Sequence, residues 1–183
     1  PELIDYYRKK IKRGSRQQSP TYAAMVHSLD DAVGSLLDAL DNDELGNTII
    51  VFYSDNGGNI HCGLEETDTK GEKYVTAITS NYPLRGGKGG IREGGIRVPA
   101  VVVWPGVTKP GTINETRIQA NDLYPTILKM INMSYPKDHV IDGVDFTKAL
   151  KGKTYERKPM FTFVPGHGNT PEWLPPSMAV HLG

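Results

Sequence analysis

The chain has 183 residues, enough for one substantial core, and its 21 Lys and Arg balance its 21 Asp and Glu to a formal net charge of zero. No global field therefore draws it to nucleic acid or an anionic membrane, and no apolar run is long enough to span a bilayer. The single cysteine, Cys62, excludes an internal disulfide and a cysteine-built zinc site.

In chain order, residues 1–18 are basic and polar, with Arg8-Lys9-Lys10 and Lys12-Arg13 close together. A solvated helix end or loop is the expectation there, in preference to a binding patch, and Pro1 to Asp5 lacks the pattern of a signal peptide. Ser19-Pro20 then supplies an N-cap followed by proline at the first helical position. Tyr22, Met25, Val26, Leu29, Val33, Leu36, Leu37 and Leu40 recur at spacings of three and four, which predicts an amphipathic helix packed on a core and ending near Asp41. A strand is predicted from Thr48 to Tyr53, an apolar run rich in β-branched residues of the kind covered on both faces in a parallel sheet. The run Val98 to Trp104, stopped by Pro105-Gly106, has the same character. Farther on, Asn121 or Asp122 can cap a helix carrying Leu123, Ile127, Leu128 and Ile131; Phe146 to Leu150 suits a short helix, and Pro159 to Val164 and Met178 to Leu182 suit short strands.

About forty glycine-rich residues without a strong period separate the two apolar runs; loops of that length in compact domains are usually functional or mobile. That stretch begins with Ser54-Asp55-Asn56-Gly57-Gly58, at the carboxyl end of a strand, where open α/β sheets bind ligands. A carboxylate and an amide side by side offer hard oxygen donors to a cation. They make only part of a site, because calcium takes six to eight oxygens. Considered alone, the tripeptide Asp-Asn-Gly is by default an ordinary turn.

The second segment, Leu84-Arg85-Gly86-Gly87-Lys88-Gly89-Gly90 through Glu93-Gly94-Gly95-Ile96-Arg97-Val98-Pro99, combines backbone freedom with a lysine that can meet an anion. It lacks the G-x-x-x-x-G-K-[ST] order of a nucleotide loop, and a strand follows where such a loop would open a helix. Glu93 and Arg97 are expected to pair and hold the loop, whereas Arg85 is a candidate for substrate contact. His61 and His167 are further candidates, His167 in Pro165-Gly166-His167-Gly168-Asn169. For Lys88 the competing reading is a solvated loop lysine. His27 is expected to be structural or on the surface.

Taken in order, the helix Tyr22-Ala23-Ala24-Met25-Val26 through Gly34, Ser54-Asp55-Asn56-Gly57-Gly58, Pro83-Leu84-Arg85-Gly86-Gly87-Lys88-Gly89, Glu93 to Pro99, Trp104-Pro105-Gly106 and Asp122-Leu123-Tyr124-Pro125-Thr126 resemble the second half of the sulfatase family, within the alkaline phosphatase superfamily. The likeness covers about residues 20–165. It implies an α/β fold: part of an alkaline-phosphatase-like, mostly parallel sheet flanked by helices over residues 1–155, then the start of a small C-terminal α+β subdomain over 156–183.

The resemblance further implies that Asp55 and Asn56 are ligands of one Ca2+ ion, that Asp55 also hydrogen-bonds the nucleophile, and that Lys88 contacts the sulfate and the departing ester oxygen. The family nucleophile is a formylglycine made within a C/S-x-P-S/A-R motif. No such motif occurs in these residues, and His61-Cys62-Gly63-Leu64 fits neither its proline nor its arginine. The nucleophile and the remaining calcium and sulfate ligands are thus expected upstream, in an N-terminal half of the same enzyme, leaving this stretch inactive alone. The implied substrate is a sulfated small molecule or glycan, and the implied location is periplasmic, secreted or lysosomal. Competing functions are a phosphatase or phosphodiesterase of the same superfamily, and a non-catalytic carbohydrate-binding relative.

Overall fold

A computed structural model describes residues 1–165 and 176–182. The chain divides into two compact units, one containing Pro1–Asn42 and Asn56–Val98, the other Asp43–Asp55 and Pro99–Phe163. The chain passes from the second to the first at the Asp55–Asn56 bond.

In the first unit, α1 (Glu2–Lys10) opens with Glu2 and Asp5 and closes with Arg8, Lys9 and Lys10, charges that suit the two ends of its dipole. It packs against α2 (Pro20–Asp38), where Tyr7 Oη lies 3.2 Å from His27 Nδ1 and the two rings meet edge to face. The start of α2 follows its sequence signals: Ser19 Oγ accepts from the Tyr22 N–H at 3.0 Å, and Pro20 stands inside the first turn. Its end falls at Asp38 rather than Asp41, and residues 42–46 wind into the five-residue α3 (Asn42–Gly46).

The burial expected of α2 is only partly met. Pro20 and Ala24 are its buried residues, while Met25, Val26, Leu29 and Leu36 are exposed. The apolar stripe is wider than its short neighbour α1 covers.

The long segment after residue 58 contains an unexpected hairpin, β2 (Gly63–Thr67) with β3 (Lys73–Ala77), antiparallel with Glu65 opposite Val75. Its alternation is inverted in hydrophobicity: Glu66 faces inward at 4 % exposure and Val75 outward at 75 %. Period two is present, but a hydrophobic pattern cannot register it. Glu66 instead serves α2. Its Oε1 accepts from Ser19 Oγ and, at 3.1 Å, from the Thr21 N–H, and its Oε2 accepts from Thr21 Oγ1 at 3.0 Å, placing a carboxylate at the helix N-terminus. Gln17 adds a clasp, donating to Ser80 O and accepting from Ser80 N and Thr79 Oγ1.

In the second unit, β1 (Ile50–Tyr53) pairs with β4 (Ala100–Val103), with Ile50 opposite Val103 and Tyr53 opposite Ala100. The pair is antiparallel, whereas each run by itself reads as a strand of the kind found in a parallel sheet. The runs are also not covered on both faces, since Phe52, Val101 and Val103 are exposed. An unbroken apolar run registers hydrophobicity without strand direction.

After a 3-10 turn (Ala120–Asp122) comes α5 (Leu123–Met130), with Pro125 buried in its first turn, then α6 (Thr147–Leu150). The two short strands expected near the end form as β5 (Met160–Val164) and β6 (Ser177–His181), and they pair with each other. Asp122, fully buried, joins this unit. It accepts from the backbone N–H of Gln119 and of Val144, each at 2.8 Å, and pairs with Arg157 at 2.9 Å. Its carboxylate braces three loops rather than capping α5. Among the described residues no helix is long and apolar enough to cross a membrane.

Candidate active site

At the end of β1 the Ser54 N–H still donates to Pro99 O at 3.3 Å, and then the ladder stops. Asp55 is exposed and Asn56 half-buried, with Asn56 Nδ2 donating to Gly57 O at 3.0 Å. Burial holds the Tyr53 hydroxyl above its ordinary 10.0, and the carboxylates of Asp122 and Asp55 add to the rise. Tyr53 is therefore a neutral neighbour of Asp55 through the physiological range.

Beyond Asn56 the glycines are used for contact. Gly57 N–H donates to Gly95 O at 2.9 Å, Lys88 N–H to Gly58 O at 3.0 Å, and Gly94 N–H to Arg85 O at 2.8 Å. Two glycine strings thus lie backbone on backbone. A Cβ on Gly57 would fall 2.7 Å from Gly94 C, on Gly94 2.7 Å from Arg85 O, and on Gly87 2.6 Å from Gly58 O. None of these approaches has room for a side chain, which is why these positions carry glycine. Gly86 and Gly89, with φ of 79° and 87°, turn the chain on either side of Lys88.

Lys88 is presented at the surface of this weave, its side chain exposed and its amide fixed by Gly58. The short helix α4 (Glu93–Ile96) places the buried Gly94 and Gly95 against the turn. Glu93 and Arg97 meet at 3.7 Å, both largely exposed, so the pair adds little stability.

The structure brings the Lys88 loop to the Asn56–Gly58 turn and leaves Asp55 at the end of β1. Arg85 is exposed, and its described role is through its backbone oxygen. His61 and Cys62 are exposed, their amides donating to Asn59 Oδ1. His167 lies outside the described residues. Among the described residues no three His, Cys, Asp or Glu form a metal-holding group.

Sequence reasoning passed over Asn81. Its Oδ1 accepts from the Gly58 N–H at 3.1 Å, while its Nδ2 donates to Gly58 O at 2.9 Å and to Gly86 O at 3.0 Å. Only its place just before the Lys88 string hinted at this.

The family model "Sulfatase" matches residues 1–133. Among curated relatives, steryl-sulfatase of Homo sapiens is 34% identical over 163 residues, 87% of this chain and 27% of that protein. N-acetylgalactosamine-6-sulfatase of Mus musculus is 35% identical over 88% of this chain and 28% of its own length. Among solved structures, that of Ps i-CgsB superposes with a TM-score of 0.77 at 29% identity, covering 100% of this chain and 36% of that one. The PsFucS1 sulfatase from Pseudoalteromonas sp. gives 0.57 at 26% identity, over 87% and 35%. The chain spans only about a quarter to a third of the length of these proteins. These structural neighbours share the alkaline-phosphatase-like α/β fold, to which the small sheets and helices of this chain correspond. With the motifs from Asp55 to Pro99 standing in a matched segment, this chain belongs to the sulfatase family.

Proposed function

We propose that this chain is part of a sulfatase that hydrolyses sulfate esters, and that Asp55, Asn56 and Lys88 are its contribution to the active site. The observation that carries the reading is the Lys88–Gly58 backbone bond at 3.0 Å, which ties an exposed lysine to the turn begun by Asn56. An attacking nucleophile is repelled by the anionic oxygens of a sulfate ester, so catalysis needs positive charge aimed at them. Lys88 supplies one such charge and a proton or hydrogen bond for the departing ester oxygen.

Asp55 and Asn56 fit a hard cation by donor chemistry, one carboxylate and one amide oxygen, and are proposed as two ligands of a single Ca2+. Such an ion would neutralise sulfate oxygens as a Lewis acid. Asp55 is further proposed to hydrogen-bond the nucleophile, a formylglycine outside these residues. His61, Arg85 and His167 remain proposed substrate contacts on account of their place in the sequence.

The substrate class proposed is a sulfated glycan or small molecule, supported by the Ps i-CgsB structure solved with k-i-k-neocarrahexaose. The test is turnover of matched sulfate and phosphate esters by the full-length protein, with and without chelator. Faster sulfate hydrolysis, lost on chelation and reduced about a hundredfold or more in Lys88→Ala, is expected. Faster turnover of the phosphate ester would sink the reading.

A further inference from the structure

Three hydrogen bonds from one side chain span both glycine strings, and they converge on the backbone that carries Lys88. We propose that Asn81 is a positioning residue for Lys88: its amide clamps Gly58 to Gly86 and so sets where the lysine stands relative to the Asn56 turn. The proposal rests on the role given to Lys88 above.

The geometry leaves Asn81 little freedom. Gly58 is gripped at both its N–H and its C=O, and that same carbonyl also accepts the Lys88 N–H at 3.0 Å. A carbonyl oxygen has two lone pairs, so Asn81 Nδ2 and Lys88 N fill it together. The second Nδ2 hydrogen goes to Gly86 O, two residues before Lys88. The amide orientation follows from these partners, because turning it over would set its oxygen against two carbonyls.

The space around the Asn81 amide is tight. A Cβ on Gly87 would stand 3.1 Å from Asn81 Nδ2, and one on Gly58 would stand 2.6 Å from Asn81 Oδ1. Thr79 flanks the same space, but its Oγ1 is bonded to Gln17. Without the Asn81 amide, Gly58 and Gly86 lose their bridge, and the lysine between the turns at Gly86 and Gly89 loses its fixed origin.

Asn81→Asp keeps the acceptor for Gly58 N–H but places a carboxylate oxygen against two carbonyls. Asn81→Ala removes the amide without adding charge. In the full-length protein, each is compared with Lys88→Ala and with the double variants, on aryl sulfates of graded leaving-group basicity, well below each variant's melting temperature. A displaced proton donor matters most for poor leaving groups. The expected result is kcat lowered about tenfold to a hundredfold with KM within about twofold, and a steeper dependence on leaving-group basicity. In the Lys88→Ala background the same substitution is expected to cost little more, because coupled residues are non-additive.

Independent, multiplying losses, or an unchanged leaving-group dependence in Asn81 variants when Lys88→Ala alters it, would overturn the positioning role and leave the Lys88 reading intact. A Lys88→Ala enzyme indistinguishable from wild type removes the Lys88 reading itself, and this proposal with it. Should Asn81→Asp fail to fold, the Asn81→Ala cycle decides; should that fail too, Asn81→Gln, which keeps the amide one methylene farther out, is judged by the same two criteria.

Discussion

Asp68 shows how much local order one side chain supports. Its Oδ1 accepts from the N–H groups of Lys70 and Glu72 at 2.8 and 3.0 Å, closing the turn between β2 and β3, and Arg13 lies 3.6 Å from its Oδ2. The Glu72 hydrogen bond, first among several favourable partners, holds its carboxyl below the ordinary 3.8. A depressed folded value means that the stabilisation is present above 3.8 and lost as pH falls through the folded value. The Glu72 amide shift, followed by NMR through an acid titration, is expected to have its midpoint below 3.8, with the transition abolished in Asp68→Asn. A midpoint at or above the ordinary value would contradict the assignment.

Residue identity alone told unevenly at this scale. Ser19 and Pro20 announced their helix because a cap acts on residues two and three positions away. Asn81 did not announce itself, since its partners Gly58 and Gly86 lie at separations of 23 and 5 residues. An asparagine before an aromatic residue and proline looks like any turn.

Among elements, the hairpin β2–β3 has its only buried carboxylate, Glu66, at the start of α2. It replaces water for the orphan amides of a helix N-terminus. Glu66→Gln retains one acceptor oxygen but loses the charge, and is expected to destabilise the folded protein by about 1–3 kcal/mol, read as a lower urea midpoint with an unchanged slope. An unaltered midpoint would show that the carboxylate is not the anchor. The helix α2 and the strands β1 and β4 were legible from periodicity and β-branched runs. The pairing of β1 with β4 was not, because direction depends on connections and partners that no local pattern encodes. The hairpin was hidden because Glu66 occupies the position where the rule places an apolar residue.

At the scale of the whole molecule, apolar surface is unusually open. In the first unit Met25, Leu29 and Leu36 on α2 are 63%, 53% and 71% exposed; in the second, Val101 is 53% exposed and Phe163 66%. Surface of this kind marks a binding face or an association hazard. The 183-residue chain expressed alone is expected to self-associate as concentration rises, measured by light scattering after size exclusion, and to show no turnover of sulfate esters. Leu29→Lys with Leu36→Glu should reduce the association. A monodisperse monomer across the concentration range would argue that the exposed face is tolerated.

The glycine weave beside Asn56 has a consequence for motion. Where side chains interlock, a core can loosen by degrees as rotamers exchange, but two bare backbones in contact have no rotamers to exchange. The amides of Gly57, Lys88, Gly94 and Gly95 are tied by bonds of 2.7 to 3.0 Å within or between the same two strings. They should therefore open as one event, with a shared free energy in hydrogen exchange. Separate opening energies for Gly57 and Lys88 would show instead that the strings part independently. In the concerted case, the backbone that carries Lys88 is either in place or wholly released, with no half-open state between.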